Sequence, residues 1–405
     1  MEENYFPPPD SGGDTPGGWR TLSDPVEVRR VTGMDTQRLD EAFAFIQGST
    51  KNGGLLVARH GWLVYERYFG LGHREAAPNL ASCAKSFTSI AVGMLMAERP
   101  ELFPEGLEQK IFTPTYFPAE AFPLSDPRKA EIKLGQLLSF TAGIRGSYGG
   151  EDASWVHGRA VSIDPPGPDG WQAMVDEIAL GQRDHVRRDG RVLSTRTLWC
   201  PPGEGYSYAT AGIHLASIML RHVTGVEMEV YLRSRLAAPL GWGRWGYGYR
   251  SAGLRHTPGG GGIVLRPTDM LRFAYLLLHE GRWGNRQLVP AEYVRLCRQR
   301  SPYNPHYPYS LQFDVNTWGD YPELPRDAFW KEGSGNHVFY VVPSLDLVVW
   351  KMGGRDGQYQ PEDTGLPLAP EVAARAGSRE GWTPAMDEAT ALRGTLQRVV
   401  SAIDA

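Results

Sequence analysis

Apolar residues recur along the chain at spacings that switch between three-to-four and two, and each switch marks an element boundary. Asp35 to Gln47 carries Leu39, Phe43 and Ile46 at helical spacing. Gly54–Arg59 and Trp62–Phe69 are β-rich runs separated only by His60-Gly61, which predicts a tight hairpin. A helix follows, headed by Ser82, with Phe87, Ile90, Ala91, Met94 and Leu95 on one face. Residues 100 to 255 mix helical segments with proline-rich and glycine-rich connections. Within them, 145–200 reads as a long loop-rich insertion with one short helix near Trp171 to Ala179, and loops of that length are usually lids or binding walls. Strands return at Val338–Val342 and Leu345–Trp350, split by Pro343-Ser344, and Ala389 to Ile403 closes the chain as an amphipathic helix.

This order predicts an α+β fold in which the two chain ends build one antiparallel sheet flanked by helices, with a mostly helical domain inserted between them. The expected boundaries are an extended N-terminal arm over 1–34, a sheet domain from 35–86 and 256–405, and a helical domain over 87–255 that includes the insertion. A chain of 405 residues exceeds the usual size of a single core, in keeping with two joined domains.

Composition narrows the function. Net charge is −4 and basic residues form no block, which excludes nucleic acid and an anionic membrane as the main partner. The N-terminus has no basic and apolar leader, and Ile90 to Ala97 is too short to span a bilayer. Three cysteines, Cys83, Cys200 and Cys297, cannot all pair, and none forms a Cys-x-x-Cys. Together these predict a cytoplasmic protein with reduced thiols, acting on a small molecule. The ten histidines show no His-Glu-x-x-His pattern, so no metal and no cofactor are expected.

The candidate chemistry lies in Ser82-Cys83-Ala84-Lys85. Residues three apart on a helix share a face, so hydroxyl and amine can meet, and a serine beside a base is a nucleophile candidate. Only seven of the 42 Lys and Arg residues are lysines, and Lys85 alone has a serine three positions before it. A lysine inside an apolar run of an arginine-dominated chain suits a group that must lose its proton. Pro202 to Gly212 presents Tyr208 on a turn before another helical run, as a proton carrier. No serine has a full Gly-x-Ser-x-Gly surround; Gly205-Tyr-Ser207-Tyr-Ala209 departs at its last residue.

On these residues the chain resembles serine hydrolases of the class C β-lactamase and penicillin-binding-protein superfamily. Ser82-x-x-Lys85 matches the family's Ser-x-x-Lys, and Leu137-Leu-Ser-Phe-Thr-Ala-Gly143 resembles its Leu-Leu-Ser-His-Thr-Ser-Gly segment. Tyr208-Ala-Thr210 falls on Tyr-x-Asn, and Lys331-Glu-Gly333 falls on Lys-Thr-Gly. Four elements in order, over most of residues 35–405, carry the likeness. It implies Ser82 as acylated nucleophile, with Lys85 and Tyr208 as the catalytic proton carriers. The backbone NH groups of Ser82 and Ser334 become the oxyanion hole. Thr210, Lys331, Glu332 and Gly333 become the substrate-binding set, with Lys331 over the pocket as a fixed positive charge. His337, just beyond Gly333 on the same strand, is a further substrate-binding candidate, against a plain strand histidine at the rim, and on a regular strand the Glu332 side chain points away from that of Lys331. Burial and the nearby Lys331 would lower the pKa of Lys85, and two flanking cations would push Tyr208 the same way.

Two departures bear on substrate. Thr210 replaces a carboxamide that grips substrate amides, and Glu332 replaces a threonine that helps hold a substrate carboxylate. The expectation is therefore an esterase or amidase working through an acyl-enzyme on a small ester or linear amide. The alternatives are a true β-lactamase or D-Ala-D-Ala carboxypeptidase-like enzyme, and an inactive ligand-binding or sensor protein of the same fold. Trp155, Trp199, Tyr206, Phe329 and Trp330 suggest an apolar acyl or alcohol pocket, against ordinary core and interdomain packing.

Overall fold

A computed structural model of the chain describes residues 5–9, 18–146 and 154–404. Residues 25–32 of the expected arm are helical. Asp24 caps helix α1 (Pro25–Thr32) by accepting from the Val26 and Glu27 amides, and Pro25 at its first position needs no donor. Asp35 likewise caps α2 (Thr36–Gln47). Strands β1 (Gly53–Arg59) and β2 (Trp62–Phe69) form the expected hairpin, its turn made by His60 and Gly61, both with positive φ.

Next comes a 3₁₀ turn, Ala81–Cys83, that leads into α3 (Ala84–Glu98), so Ser82 precedes the α-helix rather than opening it. A short helix α4 (Leu134–Leu138) follows. The insertion, of which 147–153 lie outside the described residues, contributes β3 (Ser154–Val156), β4 (Arg159–Val161), a 3₁₀ turn over Gly170–Met174 and helix α5 (Asp176–Ala179). Strand β5 (Tyr206–Ser207) pairs with β3, tying the insertion to the segment that bears Tyr208, and α6 (Thr210–Thr224) begins after Tyr208 and Ala209. Strands β6 (Trp245–Tyr247) and β7 (Ile263–Leu265) pair with each other and lead to α7 (Pro267–Leu278).

The last third of the chain supplies β8 (Tyr309–Ser310), β9 (Phe313–Val315), β10 (Phe329–Gly333), β11 (His337–Val342), β12 (Leu347–Met352) and the closing helix α8 (Glu388–Ser401). Together with the first hairpin they make one seven-stranded antiparallel sheet, in the order β8-β9-β10-β11-β12-β1-β2. The sheet is therefore built from both ends of the chain, and the architecture is α+β.

Alternation along the strands splits the core in two. Phe339 and Val341 face a large core shared with α3, α6 and α7, whereas Val338, Tyr340 and Val342 face a second core under α2 and α8. The same alternation sends Lys331 toward the large core and Glu332 toward the opposite side. Among the described residues no helix is long and apolar enough to cross a membrane, and no group of three or more His, Cys, Asp or Glu is placed to hold a metal ion.

Candidate active site

The Ser82 turn sits against the end of β10. A Cβ added to Gly333 would lie 2.2 Å from the Leu80 carbonyl oxygen and 3.2 Å from the Cys83 nitrogen, so only glycine allows this approach. Just before the serine, Ala81 holds φ +47°, a left-handed conformation that costs energy for a residue with a side chain. Its amide donates to Asn79 Oδ1, while the neighbouring Leu80 and Cys83 amides donate to Ile263 O and Leu80 O. The amides of Ser82 and Ser334 meet no acceptor among the described residues.

Lys85 Nζ donates to Ser82 Oγ at 2.9 Å and to Gly260 O at 2.6 Å. Its side chain is 1% exposed. Burial first, and then the like charge of Lys331, push its pKa well below the ordinary lysine value. Tyr208 hydrogen-bonds Ser82 from another side, and its ring lies 5.0 Å from both Lys85 Nζ and Lys331 Nζ. The expected lowering of the Tyr208 pKa is reversed: burial outweighs Lys331 and the Ser82 hydrogen bond and drives the phenol up to about 12. At neutral pH it keeps its proton.

Lys331 is 1% exposed, with Nζ 3.2 Å from Asp314 Oδ2 and 5.0 Å from the Tyr309 ring. Burial opposes its charge, but Asp314, Tyr208 and Glu332 outweigh burial and hold the ammonium above its ordinary range. The cation expected over the pocket is therefore paired. Glu332 lies on the far side of the sheet, where burial and the nearby Asp314 charge raise its carboxyl to about 7.

Other predicted residues are placed differently from expectation. His337 is not at a rim. It is fully buried, accepts from the Gly353 amide at 3.1 Å, stacks on Trp350, and burial with Lys351 lowers its pKa to about 3. Its Nε2 lies 3.4 Å from Gln358 Nε2, which donates to the Asn79 and Ser334 carbonyls, so it backs the site without lining it. Thr210 begins α6, and its methyl faces Gly260, where an added Cβ would come within 2.6 Å. Of the suggested pocket aromatics, Phe329 is core and Trp330 faces the second core. Tyr206 stacks on Tyr307, Trp155 packs beside Tyr307, and Trp199 packs against Gly205.

Three features escape the sequence pattern. Asp314 reaches Lys331 across a hairpin of 17 residues. Phe140, in the Leu137–Gly143 segment, has positive φ and packs 5.0 Å from Tyr208 and 5.3 Å from Tyr309. Finally, the glycine run 259–262 presents the Gly260 carbonyl to Lys85. It is fixed from behind: the Gly259 amide donates to His214 Nδ1 at 3.1 Å, which leaves Nε2 to donate to Asp176 Oδ1 at 3.0 Å. Thr88 Oγ1 donates to Gly259 O at 2.7 Å. Asp176 belongs to α5, so the insertion anchors the loop that positions the lysine. Met174 and Trp171 cover the same loop, against Gly260 and Gly262.

The family model described as Beta-lactamase matches residues 36–373. Among solved structures, a Bacillus anthracis protein provisionally named a 6-aminohexanoate-dimer hydrolase aligns with TM-score 0.57 at 18% identity, over 91% of this chain and 87% of that one. EstCE1, a hydrolase with promiscuous acyltransferase activity, aligns with TM-score 0.56 at 17% identity, over 82% and 97%. A penicillin-binding-protein homologue from Caulobacter crescentus aligns with TM-score 0.52 at 16% identity, over 84% and 97%. No curated protein matches the sequence.

Proposed function

From the premise that the chain belongs to the β-lactamase family of serine hydrolases, we propose that it is an esterase or amidase acting through a Ser82 acyl-enzyme on small esters or linear amides. The observation that carries this reading is the buried Lys85 amine, 2.9 Å from Ser82 Oγ, with its pKa pushed far down and no carboxylate among its hydrogen-bond partners. Such a lysine gives up its proton far more readily than an ordinary one, which suits it to act as a base.

In this mechanism one Lys85 N–H stays on Gly260 O while the amine lone pair turns to the Ser82 hydroxyl. Ser82 Oγ attacks the carbonyl carbon as its proton passes to Lys85. The Ser82 and Ser334 amides donate to the developing oxyanion. Tyr208, protonated because it is buried, delivers a proton to the leaving oxygen or nitrogen and is reprotonated from Lys85. Water then attacks the acyl-enzyme carbonyl, loses its proton to the same pair, and Ser82 leaves with a proton restored.

Esters and linear amides are favoured over β-lactams because the threonine hydroxyl of Lys-Thr-Gly is replaced by Glu332, directed to the far side of the sheet, and the carboxamide by Thr210, directed at Gly260. EstCE1, a hydrolase of the same fold, supports the reading. The test is a panel of p-nitrophenyl esters, linear anilides and nitrocefin. Short acyl esters are expected to turn over fastest and nitrocefin slowly; rapid nitrocefin hydrolysis would establish a β-lactamase instead.

A further inference from the structure

We infer that Asp314 sets the charge of the acceptable substrate: by occupying Lys331 it reserves this site for acyl donors that carry no carboxylate near the scissile bond, that is, neutral esters and amides. The inference rests on the acyl-enzyme reading above and adds to it a substrate class and a specificity residue.

Two lysines stand beside Ser82, and neither is available to an anion. Lys85 has its amine directed to Ser82 Oγ and Gly260 O. Lys331 is a true cation, yet its ammonium sits 3.2 Å from Asp314 Oδ2 and is enclosed by the Tyr208 and Tyr309 rings at 5.0 Å each. The pair is sheltered, with side-chain exposures of 1% for Lys331 and 16% for Asp314, so water screens it weakly. Removing one partner of such a pair leaves an uncompensated buried charge, which is why it resists exchange.

An incoming carboxylate would have to displace Asp314 from Lys331, or accept a position next to a second carboxylate. Both are unfavourable. A neutral acyl group meets no such penalty. Asp314 is held in place by the strand pairing of β9, which sets it opposite Trp330 on one neighbour and Tyr309 on the other. The turn that joins β8 to β9 is fixed by Gln312, whose Nε2 donates to Leu138 O at 2.8 Å and whose carbonyl accepts from Ser86. The carboxylate is thus part of the rigid frame and not a mobile surface group.

The experiment compares two esters of equal chain length that differ by one charge, p-nitrophenyl butyrate and mono-p-nitrophenyl succinate, on wild type, Asp314→Asn and Asp314→Glu. Wild type is expected to favour butyrate in kcat/KM by about tenfold or more. Asp314→Asn frees Lys331 and is expected to move the succinate-to-butyrate ratio toward succinate by about tenfold, through the KM of the anionic ester. Asp314→Glu keeps the charge and should keep the wild-type preference. A wild-type preference for succinate, or a ratio unmoved in Asp314→Asn, would overturn the inference, and the first of these needs no variant to fold. Fluorophosphonate labelling is run alongside: if wild type is not labelled and turns over neither ester, the acyl-enzyme reading itself has failed, an outcome distinct from a labelled enzyme with the wrong charge preference.

Discussion

A lysine that is 1% exposed, whose amine hydrogen-bonds a serine hydroxyl and a peptide carbonyl among the described residues, is poorly placed to remain charged. That environment is the residue-scale basis of the mechanism, and it separates Lys85 from Lys331, which is equally buried but has Asp314. Lys85→Arg keeps charge and approximate bulk but cannot lose its proton. It is expected to lower kcat by about 10³-fold or more, close to the loss in Ser82→Ala; retention of most activity in steady-state assays would make Lys85 an electrostatic post only. Ser82, Lys85, Tyr208 and Lys331 were legible because each sits in a short fixed motif. Asp314 was not, because its partner is reached across a β-hairpin, and neither was Gly260, which acts through a backbone carbonyl that no side-chain pattern encodes. The Tyr208 shift has the opposite sign to the expectation because two cations are visible in the sequence while the desolvation of the phenol is not.

At the scale of elements, the site depends on how closely the Ser82 turn meets β10. Gly333 allows that contact, since any Cβ there would collide with the Leu80 carbonyl. Gly333→Ala must push strand and turn apart by several tenths of an ångström, which moves the Ser82 and Ser334 amides relative to each other. The expected result is a fall in kcat of about 10²-fold or more, the scale of losing one oxyanion donor, with a smaller change in KM; an unchanged kcat in the same assay would place the oxyanion contacts elsewhere. Helix α2, the first hairpin, helix α3, strands β11 and β12 and the closing helix are readable from periodicity to within a few residues. The helix at 25–32 was missed because its pattern is short and polar, with only Val28 and Thr32 buried, although Asp24-Pro25 is a capping signal. The short helix expected near Trp171 to Ala179 is a 3₁₀ turn, Gly170–Met174, followed by α5, and no sequence pattern shows the role of α5: Asp176 reaches His214 and, through it, the loop that holds Lys85.

For the molecule as a whole, the sheet joins both ends of the chain and encloses His337, which is fully buried and held near a pKa of about 3 against an ordinary value of 6.5 by burial and by Lys351. Folding keeps it unprotonated, while the unfolded chain takes up its proton below about pH 6.5. Its contribution to stability is therefore complete above that pH and is lost as pH falls toward 3, at up to ~1.4 kcal/mol per pH unit. Urea unfolding at pH 7 and pH 4 should show a loss for wild type that is smaller in His337→Gln; equal losses in the two proteins would exclude this linkage. The two-ended sheet is legible because strands flank a helical middle, whereas the strand order and the division of residues between two cores follow only once the register is known.

The measurement that tests the account most directly is covalent labelling of the enzyme by a fluorophosphonate probe, with p-nitrophenyl butyrate turnover measured on the same samples. The account predicts stoichiometric labelling at Ser82, ester turnover, and loss of both in Ser82→Ala while its unfolding curve stays that of wild type. Labelling or turnover that survives in Ser82→Ala, or a folded wild type that neither labels nor turns over ester, would contradict it, and the latter would leave a ligand-binding protein of this fold.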